Sequence, residues 1–152
     1  MTAFASRWFF LILAAVGAAA ALIPFGYATR RQITQIDFDK ALARWQASGL
    51  VDYDLRFRHE GMAGKSESQV RVRGGHAREV VSNGEFVDAR VGELTVDAIF
   101  AKLQILLRAK KKSDYLVADF HPGLCYPVRL VWRPRGGSRE EWVLKLDDLP
   151  GH

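Results

Sequence analysis

Cysteine is almost missing from this chain of 152 residues. A single one, Cys125, excludes an internal disulfide framework and any zinc site built on four cysteines or on two cysteines and two histidines. Charge of one sign is not in strong excess either: 22 basic against 17 acidic residues leave a net +5, short of a polybasic signature. The histidines His59, His76, His121 and His152 never fall two to an element at ligand spacing, so each reads as a solvated or turn histidine. No metal and no cofactor is expected. Aromatic side chains do not interleave with the arginines, which disfavours nucleic acid as a partner. What is there is ordinary: 49% apolar and 26% charged residues exclude wholesale disorder, and the length suits one domain of usual size.

The apolar residues are gathered near one end. From Trp8 to Thr29 run 22 residues without a charge, centred on Phe9-Phe10-Leu11-Ile12-Leu13-Ala14-Ala15-Val16. At ~1.5 Å per residue the run covers about 30 Å, a bilayer's hydrocarbon thickness, and no polar face interrupts it. Residues 1–30 therefore read as a membrane-targeting segment, with Trp8 as an interfacial anchor. Its fate has two readings. Gly26 and Ala28 are the small residues a signal peptidase accepts, which allows cleavage after Ala28, just beyond Pro24. The run outlasts the ~7–15 residues of a signal core, which favours a retained single-pass anchor. No cysteine stands near its end, so a lipoprotein anchor is excluded. For orientation, Arg30, Arg31, Lys40 and Arg44 outweigh Arg7, a count that puts the following domain in the cytoplasm. A short tail before a long apolar run is also the layout of an exported protein, and composition leaves both open.

Residues 31–152 read as one domain. A helix is predicted over 37–48, with Phe38, Ala41, Leu42 and Trp45 on one stripe and Gly49 as its stop. Val51, Tyr53, Leu55 and Phe57 then alternate with Asp52, Asp54, Arg56 and Arg58, the pattern of a strand with one buried face. Gly61 to Ser68 reads as a polar loop. Val70 and Val72 alternate with Arg71 and Arg73, and Gly74-Gly75 turns the chain into a strand from His76 to Val81, closed by Asn83-Gly84. A second cycle opens at Thr95, an N-cap with Asp97 in the first turn, followed by Val96, Ile99, Phe100, Leu103, Leu106 and Leu107 at helical spacing. Strands are predicted at Tyr115–Phe120, Tyr126–Arg133 and Glu140–Asp147, joined by turns at residues 121–124 and 134–138. Helix starts at Asp37 and Thr95 lie 58 residues apart, and Tyr53 and Tyr115 lie 62 apart, which suggests a duplication. The predicted class is α+β: two helices packed on one face of an antiparallel sheet of about six strands, in α-βββ-α-βββ order, behind an N-terminal transmembrane or signal helix.

These motifs together resemble a known family. They are a helix ending in Trp45, the strand Val51-Asp52-Tyr53-Asp54-Leu55, and a Val-Arg-Val-Arg-Gly-Gly turn into Ala77–Val81. Thr-Val-Asp-x-Ile-Phe follows at Thr95–Phe100, then Asp-x-x-x-Gly-x-x-Tyr-Pro-Val from Asp119. Over roughly Phe38 to Leu149 the chain resembles the bacterial family catalogued as domain of unknown function 6174. Members are typically exported behind signal peptides or lipid anchors, so the resemblance implies an extracytoplasmic domain, against the charge count. Leu124-Cys125 before Tyr126-Pro127 departs from the family's more compact approach, and the cysteine it tends to carry after its first strand is absent here. No catalytic or binding residue is established for the family, and none is carried over.

Three groups of side chains carry chemistry. Asp119, His121 and Cys125 hold the residue types of a nucleophilic thiol, its base and an orienting carboxylate, which gives an alternative function as a small thiol-dependent hydrolase. Ordinary turn chemistry at Pro122-Gly123, with Cys125 as a small core residue, is the preferred reading. Arg108 with Lys110, Lys111 and Lys112 suits anionic headgroups at about 1 kcal/mol per basic residue, but equally caps a helix C-terminus, and the cap is preferred. Arg56, Arg58, Arg71 and Arg73 line one wet sheet face near Asp52 and Asp54, either to bind an anionic partner or to form cross-strand ion pairs. Trp45, Trp132 and Trp142 read as core. The expectation is a non-enzymatic interaction module of the bacterial cell envelope, held in the cytoplasmic membrane through residues 8–29. Its domain lies extracytoplasmically, or is released to the periplasm by cleavage near Ala28, and its partner is an envelope protein or anionic ligand.

Overall fold

The computed structural model describes residues 32–87 and 94–147; the apolar run 8–29, Arg30, Arg31 and His152 lie outside the described residues. Among the described residues no helix is long and apolar enough to cross a membrane.

Helix α1 spans Gln35–Ser48. Thr34 caps it reciprocally: Thr34 Oγ1 accepts from Asp37 N at 3.2 Å, and the Asp37 carboxylate accepts from Thr34 N at 3.2 Å. Two N–H groups that the first turn leaves orphaned are thus satisfied. Gly49 ends the helix at φ +63°, a left-handed conformation that costs glycine nothing. Helix α2 spans Val96–Ala109, and its cap Thr95 accepts from Ala98 N at 3.1 Å. Each helix buries a single stripe, Phe38, Ala41 and Trp45 on α1 and Val96, Ile99, Phe100 and Leu103 on α2.

Seven strands form one antiparallel sheet: β1 (Tyr53–Gly61), β2 (Gly64–Arg73), β3 (His76–Ser82), β4 (Glu85–Val87), β5 (Tyr115–Phe120), β6 (Pro127–Arg133) and β7 (Glu140–Asp147), in the order β4-β3-β2-β1-β7-β6-β5. The register lines up the apolar sets: Leu55 lies between Val70 and Leu146, Phe57 is opposite Leu144, and Leu130 is opposite Trp142. A bulge at Arg78 resets β3, so that Ala77 and Val80, three residues apart, both turn to the core. Both helices pack on this face. Phe38 meets Phe100 edge-on at 5.9 Å, Trp45 meets Tyr53 and Tyr126 at 5.8 and 6.3 Å, and Phe100 stacks on Phe120 at 6.2 Å. Trp45 and Trp142 are core as expected, while Trp132 is half-buried against it. The opposite face carries no helix among the described residues.

The structure corrects several boundaries. The expected polar loop at Gly61–Ser68 is a hairpin in which only Met62-Ala63 turn, with Arg58 opposite Glu67 and Glu60 opposite Lys65. Beyond Phe57 both faces of these strands are polar, so the apolar alternation that marks a strand vanishes while the ladder continues. Asn83-Gly84 closes the third strand as expected, but at φ +50° and +87° it also turns the chain into an unexpected β4, too short to show a period. Val51 lies before the strand and is exposed, and Tyr126 lies before β6. The sheet therefore has seven strands where about six were expected. The suggested duplication also fails topologically. Both β1-β2-β3 and β5-β6-β7 advance toward the β4 edge of the sheet, but β1 and β5 point in opposite directions. No rotation that keeps the helices on the same side superposes two such meanders.

Candidate functional site

Along β1, β2, β3 and β7 the helix-free face of the sheet gathers the charged halves of the alternating strands; toward the β5 edge it also carries Val117 and Val131, paired in register and buried. All four expected arginines sit on it: Arg56 and Arg58 from β1, Arg71 and Arg73 from β2. Carboxylates from neighbouring strands meet three of them. Arg56 pairs with Asp147 of β7, and Arg71 reaches Glu79 of β3 at 2.8 Å and Asp54 of β1 at 3.9 Å. Arg73 Nη1 lies 3.0 Å from Asp54 Oδ1 and also donates to the carbonyls of Val72 and Tyr53 at 2.7 and 3.2 Å, so it clamps backbone more than it faces solvent. Arg58 makes no ion pair among the described residues, although Glu67 stands opposite in the register. Further along, Lys145 lies 3.2 Å from Asp147, and Arg129 bonds Glu141 at 2.5 Å with Asp119 at 3.8 Å.

Two shallow depressions adjoin across this lattice. One of about 200 Å³ is lined by Asp54, Arg56, Gln69, Arg71, Glu79 and Asp147 over a floor of Leu55, Val70 and Val81. A second of about 170 Å³ shares Arg56 and adds Arg58, Glu67, Val143 and Lys145. The arginines were legible from alternation alone. Asp147 was not singled out because nothing local to β7 says that it will lie beside β1; Glu79 was not because a regular hairpin from Gly74-Gly75 would set Arg78 opposite Arg71, and only the bulge brings Glu79 there. Asp52, expected nearby, instead accepts from Gly74 N at 2.6 Å and fixes the β2–β3 turn.

The Asp119, His121 and Cys125 group shares one turn but is not assembled as a triad. His121 Nδ1 accepts from Gly123 N and Leu124 N, both at 3.2 Å, and its ring stacks on Tyr126 at 5.1 Å. The nitrogen a base would use is therefore engaged by the turn, a turn also closed by Cys125 N donating to His121 O at 2.9 Å. Cys125 is buried, and its Sγ lies 3.9 Å from both Gly123 O and Arg44 Nη1. Asp119 faces the opposite side of the sheet, toward Arg129. Among the described residues no three His, Cys, Asp or Glu side chains form a metal-binding group. His59 stacks on Trp142 at 5.2 Å with Glu140 at 3.8 Å.

At the far corner the run Lys110–Lys112 does not extend α2, which ends at Ala109 with Arg108 in its last turn. Asp114 folds back beneath it, accepting from Lys111 N at 2.8 Å and from Arg135 N at 3.0 Å. These two backbone bonds, with Lys111 and Lys110 nearby, hold its carboxyl below the usual range.

No family model, curated protein or solved structure matches the chain.

Proposed function

We propose that this chain is a membrane-tethered, non-enzymatic interaction module of the bacterial envelope, and that the open face of its sheet receives a protein partner. The supporting observation is that face itself: a layer of helices covers one side of the sheet, while the other displays charges of both signs around two adjoining depressions. Most of its arginines already have carboxylate neighbours, which argues for a partner surface of complementary charge pattern and against a small free anion. The tether reading draws on the 22 uncharged residues from Trp8 to Thr29, favoured as a retained anchor over cleavage near Ala28. The extracytoplasmic side draws on the resemblance to the exported family, whose unknown-function domain this one is proposed to share.

A photo-crosslinker in place of Gln69, at the rim of the larger depression, tests the reading in intact cells. The expected result is one discrete crosslinked species that disappears in an Arg56→Glu, Arg71→Glu variant and survives Cys125→Ala. Loss of function on replacing Cys125, with the fold intact, would sink the module and revive the thiol hydrolase.

A further inference from the structure

The open sheet face and the corner where α2 meets β5 treat their cations differently. On the face, carboxylates are interleaved with the arginines. At the corner, Arg108, Lys110, Lys111, Lys112, Arg133 and Arg135 make no ion pair among the described residues. Four segments supply them: the end of α2, the loop before β5, the last residue of β6 and the β6–β7 connection. Hydrogen bonds bring the loop before β5 and the β6–β7 connection together, while Arg133, in line with Arg129 and Val131, points to the helix-free side at the end of its strand. The Asp114 carboxylate ties the Lys111 and Arg135 backbones together, at 2.8 and 3.0 Å, and Arg133 stands directly across from Tyr115. Asp114 spends its oxygens on N–H groups, so the cluster's nearest acid is committed to the backbone. Five of the six side chains belong to exposed residues, and Lys110 is half-exposed.

The domain's first described strand contact lies at the same corner. Ile33 N donates to Leu116 O at 3.2 Å, one residue beyond Tyr115. Ile33 is four residues after Thr29, the last of the uncharged run. Four residues of chain reach at most about 14 Å however they are arranged. We infer that this basic corner docks on the anionic phospholipid surface in which the preceding chain is anchored. The inference rests on the reading of residues 8–29 as a retained anchor. A helix cap accounts for Arg108 alone; it gives no reason for Arg135 to join the lysines from another part of the chain. Each basic residue near an anionic surface strengthens adsorption about fivefold, and the attraction decays within about 10 Å at ordinary salt.

The test uses the full chain reconstituted in vesicles of phosphatidylcholine alone or with phosphatidylglycerol added. Lysine acetylation by a water-soluble reagent is read residue by residue by mass spectrometry, with Lys145 of the open face as internal reference. Phosphatidylglycerol should slow labelling of Lys110–Lys112 severalfold and leave Lys145 unchanged. The effect should vanish near ~1 M salt, where screening contracts to about 3 Å. As a second readout, amide exchange in the 134–138 turn should slow on anionic vesicles. A Lys110→Gln, Lys111→Gln, Lys112→Gln variant should lose that slowing, as adsorption weakens about a hundredfold. Equal labelling on both vesicles, in a chain whose residues 8–29 are protected from protease, overturns the docking and leaves the tether standing. Failure to associate with either vesicle overturns both. Equal protection by inorganic phosphate in detergent, without vesicles, assigns the corner to soluble anions and overturns the lipid.

Discussion

At the scale of single residues, the most informative group is Tyr53. Its side chain is only 2% exposed, packs edge-on against Trp45, and accepts from Val96 N at 3.0 Å at the first turn of α2. Burial pushes its phenol up to about 12 from an ordinary 10.0; the Val96 bond pulls the other way, and the Asp97 charge adds to the rise. The folded state therefore keeps a proton that the unfolded chain loses above pH ~10, so stability is whole below pH ~10 and declines up to about 12. A rise of that size corresponds to about 2–3 kcal/mol. Denaturant midpoints between pH 8 and 12 should show this decline in the wild type and lack it in Tyr53→Phe. At neutral pH that variant should lose about 1 kcal/mol, because Val96 N–H is left without its acceptor. Asp114 is the acid counterpart. Its depressed carboxyl contributes stability above the ordinary carboxylate range, and that contribution is lost as pH falls through its lowered value. Acid titration of Asp114→Asn should lack this part of the low-pH limb.

At the scale of elements, the β1–β2 hairpin separates what local sequence can say from what it cannot. Tyr53, Leu55 and Phe57, and again Val70 and Val72, declare their strands because one face is buried and the other wet. From His59 to Glu67 the ladder carries charge against charge, as in Glu60 with Lys65, and no apolar period survives to mark it. Alternate amides between Gly64 and Ser68 should exchange slowly, as a paired strand requires; uniform fast exchange would restore the loop first expected there. The stop at Gly49 and the cap at Thr95 were readable, since each acts within four residues of itself; the cap at Thr34 was missed, and the first helix starts at Gln35, two residues before the expected Asp37. The carboxylates of the candidate site were not readable: Asp147 reaches Arg56 through the pairing of β1 with a strand distant in the chain, and Glu79 reaches Arg71 across the expected hairpin only because of the bulge at Arg78. The same holds for the basic corner, where Arg135 joins Lys111 across 24 residues by way of Asp114.

At the scale of the whole domain, one core joins both helices to every strand except β4. Such a core predicts a single cooperative transition, with far- and near-ultraviolet circular dichroism coinciding on denaturation in detergent. Phe38→Ala, which empties a site between the helices, should shift both together by about 3–5 kcal/mol, while the amides of β4 open before either. The charged pairs of the open face contribute little to this stability. Its pairs are partly exposed, with the Arg56 side chain at 55% and Asp147 at 21%, and solvent screening reduces such a pair to about 0.2–1 kcal/mol. A layer of charges that stabilises the fold so weakly invites a reason outside the fold, and a partner's surface supplies one. The double-mutant cycle of Arg56→Gln and Asp147→Asn measures the premise directly. Coupling within about 1 kcal/mol leaves the face free to exchange its internal pairs for a partner's charges at small cost. Coupling above about 2 kcal/mol would make the lattice a structural brace, and the case for reading it as a surface held open for binding would go with it.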